Sequence, residues 1–290
     1  MKIDILSDIH IDFYFRNNPN ETKVKALYSH ILTHNGSREI GNILIIAGDL
    51  GHNNYQNIQV LEHIKNIFGY QYIICVLGNH DYYLINNSSK QKYSNQSLIR
   101  VEQLRELINE KEGMYCLDGN IIEIEGILIG GCDSWYDGEY IKQNFGNNDE
   151  RCPMWDIPLN SDYYIDQLQQ QSINDANYIF GIHWQELALQ EREKIERIYK
   201  DVDIMVTHVN PSILKEHTHP YYREEETTGF FTFDGLKYLK NGNMKYWIFG
   251  HTHNQTTFNL HDVTCICNPM GYPSENNNTK NVEISSIVLD

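Results

Sequence analysis

The chain has no apolar run approaching the roughly 18 residues that a membrane-spanning helix needs, so no bilayer anchor is expected. Its six cysteines, Cys75, Cys116, Cys132, Cys152, Cys265 and Cys267, show no Cys-x-x-Cys spacing. Cys75 and Cys132 sit in apolar, strand-like runs, so buried free thiols are expected rather than disulfides or a structural zinc. Positive charge is scarce: 23 basic residues face 39 acidic ones, a formal net charge of -16 over 290 residues. Such a surface repels polyanions, which reads against extended nucleic-acid binding and against an anionic membrane surface as a partner. Long Pro/Ser/Gly tracts are also missing, so the Asn-rich patches at 17–20, 86–95 and 276–281 read as exposed loops rather than linkers, and no internal repeat is present. The N-terminal stretch carries Asp4 and Asp8 inside what would be the apolar core of a signal peptide, so a soluble cytoplasmic protein is expected.

What is present is a set of five short polar motifs, each closing an apolar, strand-like run: Ser7-Asp8-Ile9-His10, Gly48-Asp49-Leu50, Gly78-Asn79-His80-Asp81, Thr207-His208 and Gly250-His251-Thr252-His253. Side chains at the ends of neighbouring strands converge on one edge of a sheet. Asp, Asn and His all ligate divalent transition metals, so convergence of the five motifs makes a two-metal site. A lone Asp-x-His or Gly-Asp reads as a turn or strand end, whereas five in succession do not. The alternate histidines of the last motif are the most specific piece, since packing rarely needs two imidazoles at one strand end. Candidate ligands from residue 8 to residue 253 predict a single domain over 1–290, because a chain split near its middle would have to form one site across an interface.

The first 80 residues alternate strand and helix: strands at 2–7, 42–47 and 71–77, helices near 22–34 and 56–68. Apolar spacing at Ile58, Leu61, Ile64 and Phe68, and again at Leu98, Val101, Leu104 and Ile108 near 97–110, marks helices covering a sheet. A hairpin is predicted over 120–132 around Glu125-Gly126. Irregular excursions over the active-site edge follow at 134–170, with a short helix near its end, and at 209–230. Between them a helix over about 172–199 precedes a strand at 202–207. A helix near 234–240, a strand at 245–249 and runs at 255–260, 263–268 and 282–289, read as antiparallel strands closing a second sheet, complete an α/β fold with mixed sheets.

In order and completeness these motifs resemble the calcineurin-like metallophosphoesterase superfamily, the resemblance spanning residues 7 to 253. It implies a four-layer α/β/β/α sandwich of two mixed β-sheets flanked by helices, with the motifs on loops at the top of two facing sheets. Carried over by position, Asp8, His10 and His253 would hold one metal, Asn79, His208 and His251 the other, and Asp49 would bridge them. His80 would bind no metal and would act as general acid toward the leaving-group oxygen or stabilise the phosphoryl oxygens. The chain departs from the protein Ser/Thr phosphatase branch after Gly-Asp: His52 and Asn53 stand where that branch has residues that orient this histidine and grip phosphate. Phosphoprotein phosphatase activity is therefore not expected, and Asp81 becomes the candidate partner of His80.

The implied reaction is hydrolysis of a phosphomonoester or phosphodiester in a small substrate, by direct attack of a hydroxide bridging two ions about 3.5 to 4 Å apart. Mixed nitrogen and oxygen ligation suits Mn2+ first, then iron, with Zn, Co or Ni as further candidates, over Mg or Ca. Local positive charge from two ions allows a phosphate substrate on an otherwise acidic protein. The enzymatic alternative is a nuclease acting on DNA or RNA; the alternative from another class is a non-catalytic metal-binding scaffold. Oligomeric state is left open. Trp135 and Tyr136 follow a strand ending near the same edge and are candidates for stacking on a substrate ring, with packing under the excursion an equal alternative. Tyr221-Tyr222 and Phe230-Phe231 read first as anchors of a long loop. Of the other histidines, His183 reads as a half-exposed helix residue, His217 and His219 as residues of the second excursion for which reach to the pocket mouth is the lesser reading, and His30, His34 and His63 as helix surface.

Overall fold

The computed structural model describes residues 1–146, 151–154 and 156–289. Its strands are β1 (Lys2–Leu6), β2 (Ile43–Ala47), β3 (Tyr72–Val76), β4 (Met114–Cys116), β5 (Asn120–Ile124), β6 (Ile127–Gly131), β7 (Ile204–Val206), β8 (Tyr246–Phe249), β9 (Thr256–Leu260), β10 (Val263–Cys267) and β11 (Ser285–Val288). The helices are α1 (Ile11–Tyr14), α2 (Glu21–Thr33), α3 (Asn54–Phe68), α4 (Asn79–Tyr82), α5 (Asn87–Lys92), α6 (Ser97–Asn109), α7 (Glu139–Asn144), α8 (Asp162–Ser172), α9 (Asp175–Tyr178), α10 (Trp184–Ile198) and α11 (Leu236–Asn241). None among the described residues is long and apolar enough to cross a membrane.

The strands form two mixed sheets, ordered β11-β1-β2-β3-β4 and β5-β6-β7-β8-β10-β9. In the first, β1 to β4 run parallel and β11 pairs antiparallel with β1. In the second, β6, β7, β8 and β10 run parallel, flanked by antiparallel β5 and β9. Strand alternation assigns the two faces. Ile3, Ile5, Ile43, Ile45 and Ile74 pack toward Ile129, Ile204, Val206 and Ile248 of the other sheet. Leu6, Leu44, Ile46, Ile73 and Cys75 join the helical side with Val24, Leu61, Leu104 and Ile108. Burial on both faces explains the nearly continuous apolar runs of the parallel strands. With α2, α3 and α6 outside one sheet and α10 outside the other, the layers are α/β/β/α as expected.

Four readings change, the first being the Asn-rich patch 86–95, which is not all loop but holds α5. The stretch 172–199 is not one helix: α8 ends at Ser172, α9 is a single turn, and Gly181, at φ 85°, precedes α10. His183 is accordingly the N-cap residue of α10, with Nε2 3.0 Å from Asp166. The tail does not enter one sheet: β9 and β10 close the second, while β11 crosses to the first. What draws it there is Asp4, fully buried on β1, which accepts from Ser286 Oγ at 2.7 Å, Tyr70 OH at 2.8 Å and Gly41 N–H at 2.9 Å, and pairs with Arg38. The excursion at 134–170 holds two helices, α7 and the greater part of α8; its residues 147–150 and 155 lie outside the described residues.

Candidate metal centre

Every one of the five motifs sits just beyond the C-terminal end of a parallel strand: Asp8 after β1, Asp49 after β2, Asn79 and His80 after β3, His208 after β7, His251 and His253 after β8. Backbone hydrogen bonds join the loops of the two sheets, Ser7 N–H to Asn268 O at 3.0 Å and Met270 N–H to Ser7 O at 2.8 Å among them. The local backbone is unusual. Asp8, His10, Asp49, His251 and His253 all have positive φ, between 38° and 69°. Each costs of order 1 kcal/mol or more in a residue with a side chain, and such strain collects at functional sites. The motif glycines serve close approach: a Cβ on Gly78 would lie 2.2 Å from Asp49 Oδ1 and 2.6 Å from His208 Nε2.

The candidate ligands meet in two groups that share one residue. Asp8, His10, Asp49 and His253 offer donor atoms within 4.8 Å of one another, and so do Asp49, His208 and His251. His10 Nε2 stands 3.0 Å from His253 Nε2 and 3.7 Å from Asp49 Oδ2, and His253 Nε2 lies 3.5 Å from Asp8 Oδ1. On the other side of Asp49, His208 Nε2 lies 3.5 Å from Asp49 Oδ1 and 3.3 Å from Asn79 Oδ1.

The outer hydrogen bonds test whether these groups suit cations. His208 Nδ1 faces Ala47 O at 2.9 Å, His251 Nε2 faces Phe230 O at 3.0 Å and His253 Nδ1 faces Glu275 Oε2 at 2.8 Å. An acceptor on the outer nitrogen makes it the N–H, which leaves the inner nitrogen with a lone pair aimed inward, as in metal-ligating histidines. Asn79 Nδ2 donates to Asp175 at 2.8 Å and to Tyr83 OH at 3.0 Å, so its amide oxygen is the atom turned toward His208. Lone pairs of His208, His251, His253 and Asn79 therefore face inward, and a divalent cation is the group that fits. His10 lacks an outer acceptor; its Nδ1 is buried without a partner.

Electrostatics agree. Burial, then the charges of Asp8 and Asp81, push the Asp49 carboxyl well above its ordinary value. Burial likewise holds His10 well below its usual range and His251 down at about 4, keeping both imidazoles neutral. Burial also lowers His253, but Glu275 and Asp8 more than offset it and raise this one. A carboxyl whose charge burial disfavours, beside the neutral imidazoles of His10 and His251, is a charge pattern that a bound cation relieves.

His80 lies at the rim, its ring 4.7 Å from that of His10. Its Nδ1 is 3.1 Å from His52 Nε2 and its Nε2 is 3.1 Å from Tyr272 OH. Asp81 is not its partner: that carboxylate accepts from the backbone of Leu50, Gly51 and Gly78 and so ties the β2 loop to the β3 loop. Asn53 caps α3 by accepting from Gln56 N–H. Trp135 and Tyr136 are also displaced from their expected role. Both are buried beneath the excursion, Tyr136 donating to Asp175 at 2.9 Å, and neither lines the cavity over the candidate ligands. His217 and His219 do line it, with Tyr222, Phe230 and Phe231. Sequence reasoning missed Asp12, Asp175, Tyr272 and Glu275. Only Asp12 gave a signal, by extending the alternation Asp8-x-His10-x-Asp12.

A third acidic group, Asp118, Asp133 and Glu191, lies apart from the site. Arg105 pairs with Asp118 and Asp133, and Lys194 with Asp118 and Glu191, so side-chain cations already fill the positive positions. This is an ion-pair network joining α6 and α10 to the strand ends.

Comparison with known proteins accords with this geometry. The family model for calcineurin-like phosphoesterases matches residues 1–255. "Uncharacterized protein L509" of Acanthamoeba polyphaga mimivirus is 25% identical over 256 residues, covering 85% of each chain. The crystal structure of phosphopantetheinyl hydrolase from Mycobacterium tuberculosis superposes with a TM-score of 0.68 at 14% identity, over 100% of this chain and 96% of that one, a likeness of fold. The chain belongs to the calcineurin-like phosphoesterase family, and is a metal-dependent phosphoesterase.

Proposed function

We propose that this chain, as one domain over 1–290, is a cytoplasmic two-metal phosphohydrolase that cleaves a phosphomonoester or phosphodiester by direct attack of water, with no covalent enzyme intermediate. The observation that carries the reading is the pair of inward-facing donor groups joined by Asp49. Asp8, His10 and His253 would hold one ion and Asn79, His208 and His251 the other, with Asp49, common to both donor groups, supplying negative charge that would offset the repulsion between two cations. Bound there, two divalent ions, manganese first and iron second, supply polarisation of the phosphoryl oxygens and activation of water. Glu275, Ala47 O and Phe230 O fix the tautomers of three ligand histidines, and Asp175 fixes the face of the Asn79 amide. His80, which reaches neither donor group, presents Nε2 to the cavity and serves the leaving-group oxygen.

The cavity also speaks to substrate class. It measures about 480 Å³ and is walled by Tyr83, His217, Tyr222, Phe231 and Tyr272 beside the ligands, with no lysine or arginine among its described lining residues. The metal centre alone meets phosphate charge, so the remainder of the substrate is an uncharged, partly flat organic group. Nucleoside triphosphates and nucleic acids, which bring further phosphates, are disfavoured.

The test is reconstitution with Mn, Fe, Zn, Co or Ni, followed by metal analysis and assays on aryl phosphate mono- and diesters, nucleoside triphosphates and oligonucleotides. Two bound ions with turnover of the aryl esters are expected. Absence of turnover with every ion favours the scaffold reading, and preference for oligonucleotides favours a nuclease.

A further inference from the structure

The phosphoesterase reading leaves His52 and Asp12 without a role, yet they continue from His80 in an unbroken line of hydrogen bonds. His52 Nδ1 lies 2.7 Å from Asp12 Oδ2, and the backbone N–H of His52 donates to Asp12 Oδ1 at 3.1 Å. At the other end of the ring, His52 Nε2 meets His80 Nδ1 at 3.1 Å. The two ring centroids are 5.2 Å apart and the planes differ by 21°. That separation puts the nitrogen-to-nitrogen line between the ring edges, in plane, as a hydrogen bond requires and face-to-face stacking does not.

The direction of each bond follows from its acceptor. A carboxylate only accepts, so His52 carries its proton on Nδ1. A neutral His52 then offers a lone pair at Nε2, and His80 Nδ1–H donates to it. His80 Nε2 is left as the lone pair, facing Tyr272 OH at 3.1 Å; a proton taken from solvent can therefore enter only at Nε2, and its transfer from there to the leaving-group oxygen returns the ring to the neutral Nδ1–H form. We infer that Asp12 and His52 are positioning residues that fix the tautomer and ring orientation of His80, so that Nε2 is the nitrogen presented to substrate. Two further contacts hold the separation of the loops that carry the relay: the buried Arg100 guanidinium donates to His80 O at 2.9 Å and to Gly51 O at 2.6 Å. The relay takes the place of the single carboxylate that a histidine in this position could have used, and Asp81 is free to bind backbone because of it.

The inference deepens the phosphoesterase reading and rests on it only for kinetics. The experiment compares wild type, His52→Ala and His52→Gln, each reconstituted with zinc. The ring 15N spectrum of wild type is expected to show His80 protonated at Nδ1, and His52→Ala to shift it toward the Nε2–H form. In His52→Gln the side-chain carbonyl oxygen reaches the place of Nε2 and restores the Nδ1–H form. In turnover, His52→Ala is expected to keep two ions and a KM within about twofold while kcat falls tenfold or more on phenyl phosphate, within the range for general acids. The loss on dinitrophenyl phosphate, whose leaving group needs no proton, is expected to be under about threefold. An unchanged His80 tautomer in His52→Ala, or a kcat loss equal for both leaving groups, overturns the relay. If wild type hydrolyses nothing, the phosphoesterase reading fails, and the ring spectrum still decides the relay by itself.

Discussion

At the scale of the residue, each candidate ligand is set by what lies behind it. Asp49 is the most exacting, being buried, shared by both donor groups and raised by its surroundings. Asp49→Asn is expected to lose metal and turnover together; elemental analysis and an aryl phosphate assay check this, and a fully loaded, active variant contradicts bridging. His80 stands outside both groups, so His80→Ala is expected to retain two ions while kcat drops at least about a hundredfold. Turnover equal to wild type would strip it of its assigned role. Gly78→Ala would drive a methyl into Asp49 and His208, so metal affinity is expected to fall even though no ligand is changed, which a titration with Mn2+ would measure.

The candidate ligands were legible in the sequence because each is a short polar signature after an apolar strand. Their supporting residues were not. His52 and His80 are 28 positions apart and Asn79 and Asp175 are 96 apart, and no local spacing relates either pair. Trp135 and Tyr136 misled because a residue at the end of a strand can turn to either side of the edge, and an irregular excursion hides which side is solvent.

At the scale of the element, strands β1, β2, β3, β7 and β8 and the helices α2, α3 and α6 follow from their apolar runs and spacing, with boundaries within two residues of expectation, whereas β4 carries no such signal and β10, expected antiparallel, runs parallel to β8. The single-helix reading after Ser172 fails because Asn174, Asp175 and Asn177, together with Gly181, favour turns over a helix interior. The placement of β11 also escaped, since its partner strand is chosen by a buried ionic cluster rather than by its own pattern. That cluster carries a prediction. Asp4→Ala removes the acceptor of Arg38, Tyr70, Gly41 and Ser286 and is expected to cost about 3 kcal/mol, as breaking buried pairs does, measurable by urea unfolding. The pH dependence has a definite sign. Burial raises the Asp4 carboxyl, but Arg38, Gly41, Ser286 and Tyr70 together lower it below its ordinary value. A depressed folded-state value means the contribution is fully present above the unfolded value of about 3.9 and is lost as pH falls through the folded one. The stability difference between wild type and Asp4→Ala should therefore be constant above about pH 5 and shrink below pH 4. A difference that grows on acidification would contradict the assignment.

At the scale of the whole molecule, an excess of acidic charge surrounds a site that accepts an anion. The general field opposes encounter and the metal centre overcomes it locally. Salt should screen the unfavourable long-range part first, so KM for a dianionic aryl phosphate is expected to fall modestly as ionic strength rises. An enzyme built for nucleic acid would show the reverse, losing affinity steeply with salt.

The most direct measurement is anomalous diffraction from crystals of the manganese-loaded protein. Two peaks about 3.5 to 4 Å apart, one on each side of the Asp49 carboxylate, with His10 and His253 on one and His208 and His251 on the other, are the predicted result. A single peak, or ions bound away from Asp49, would contradict the account.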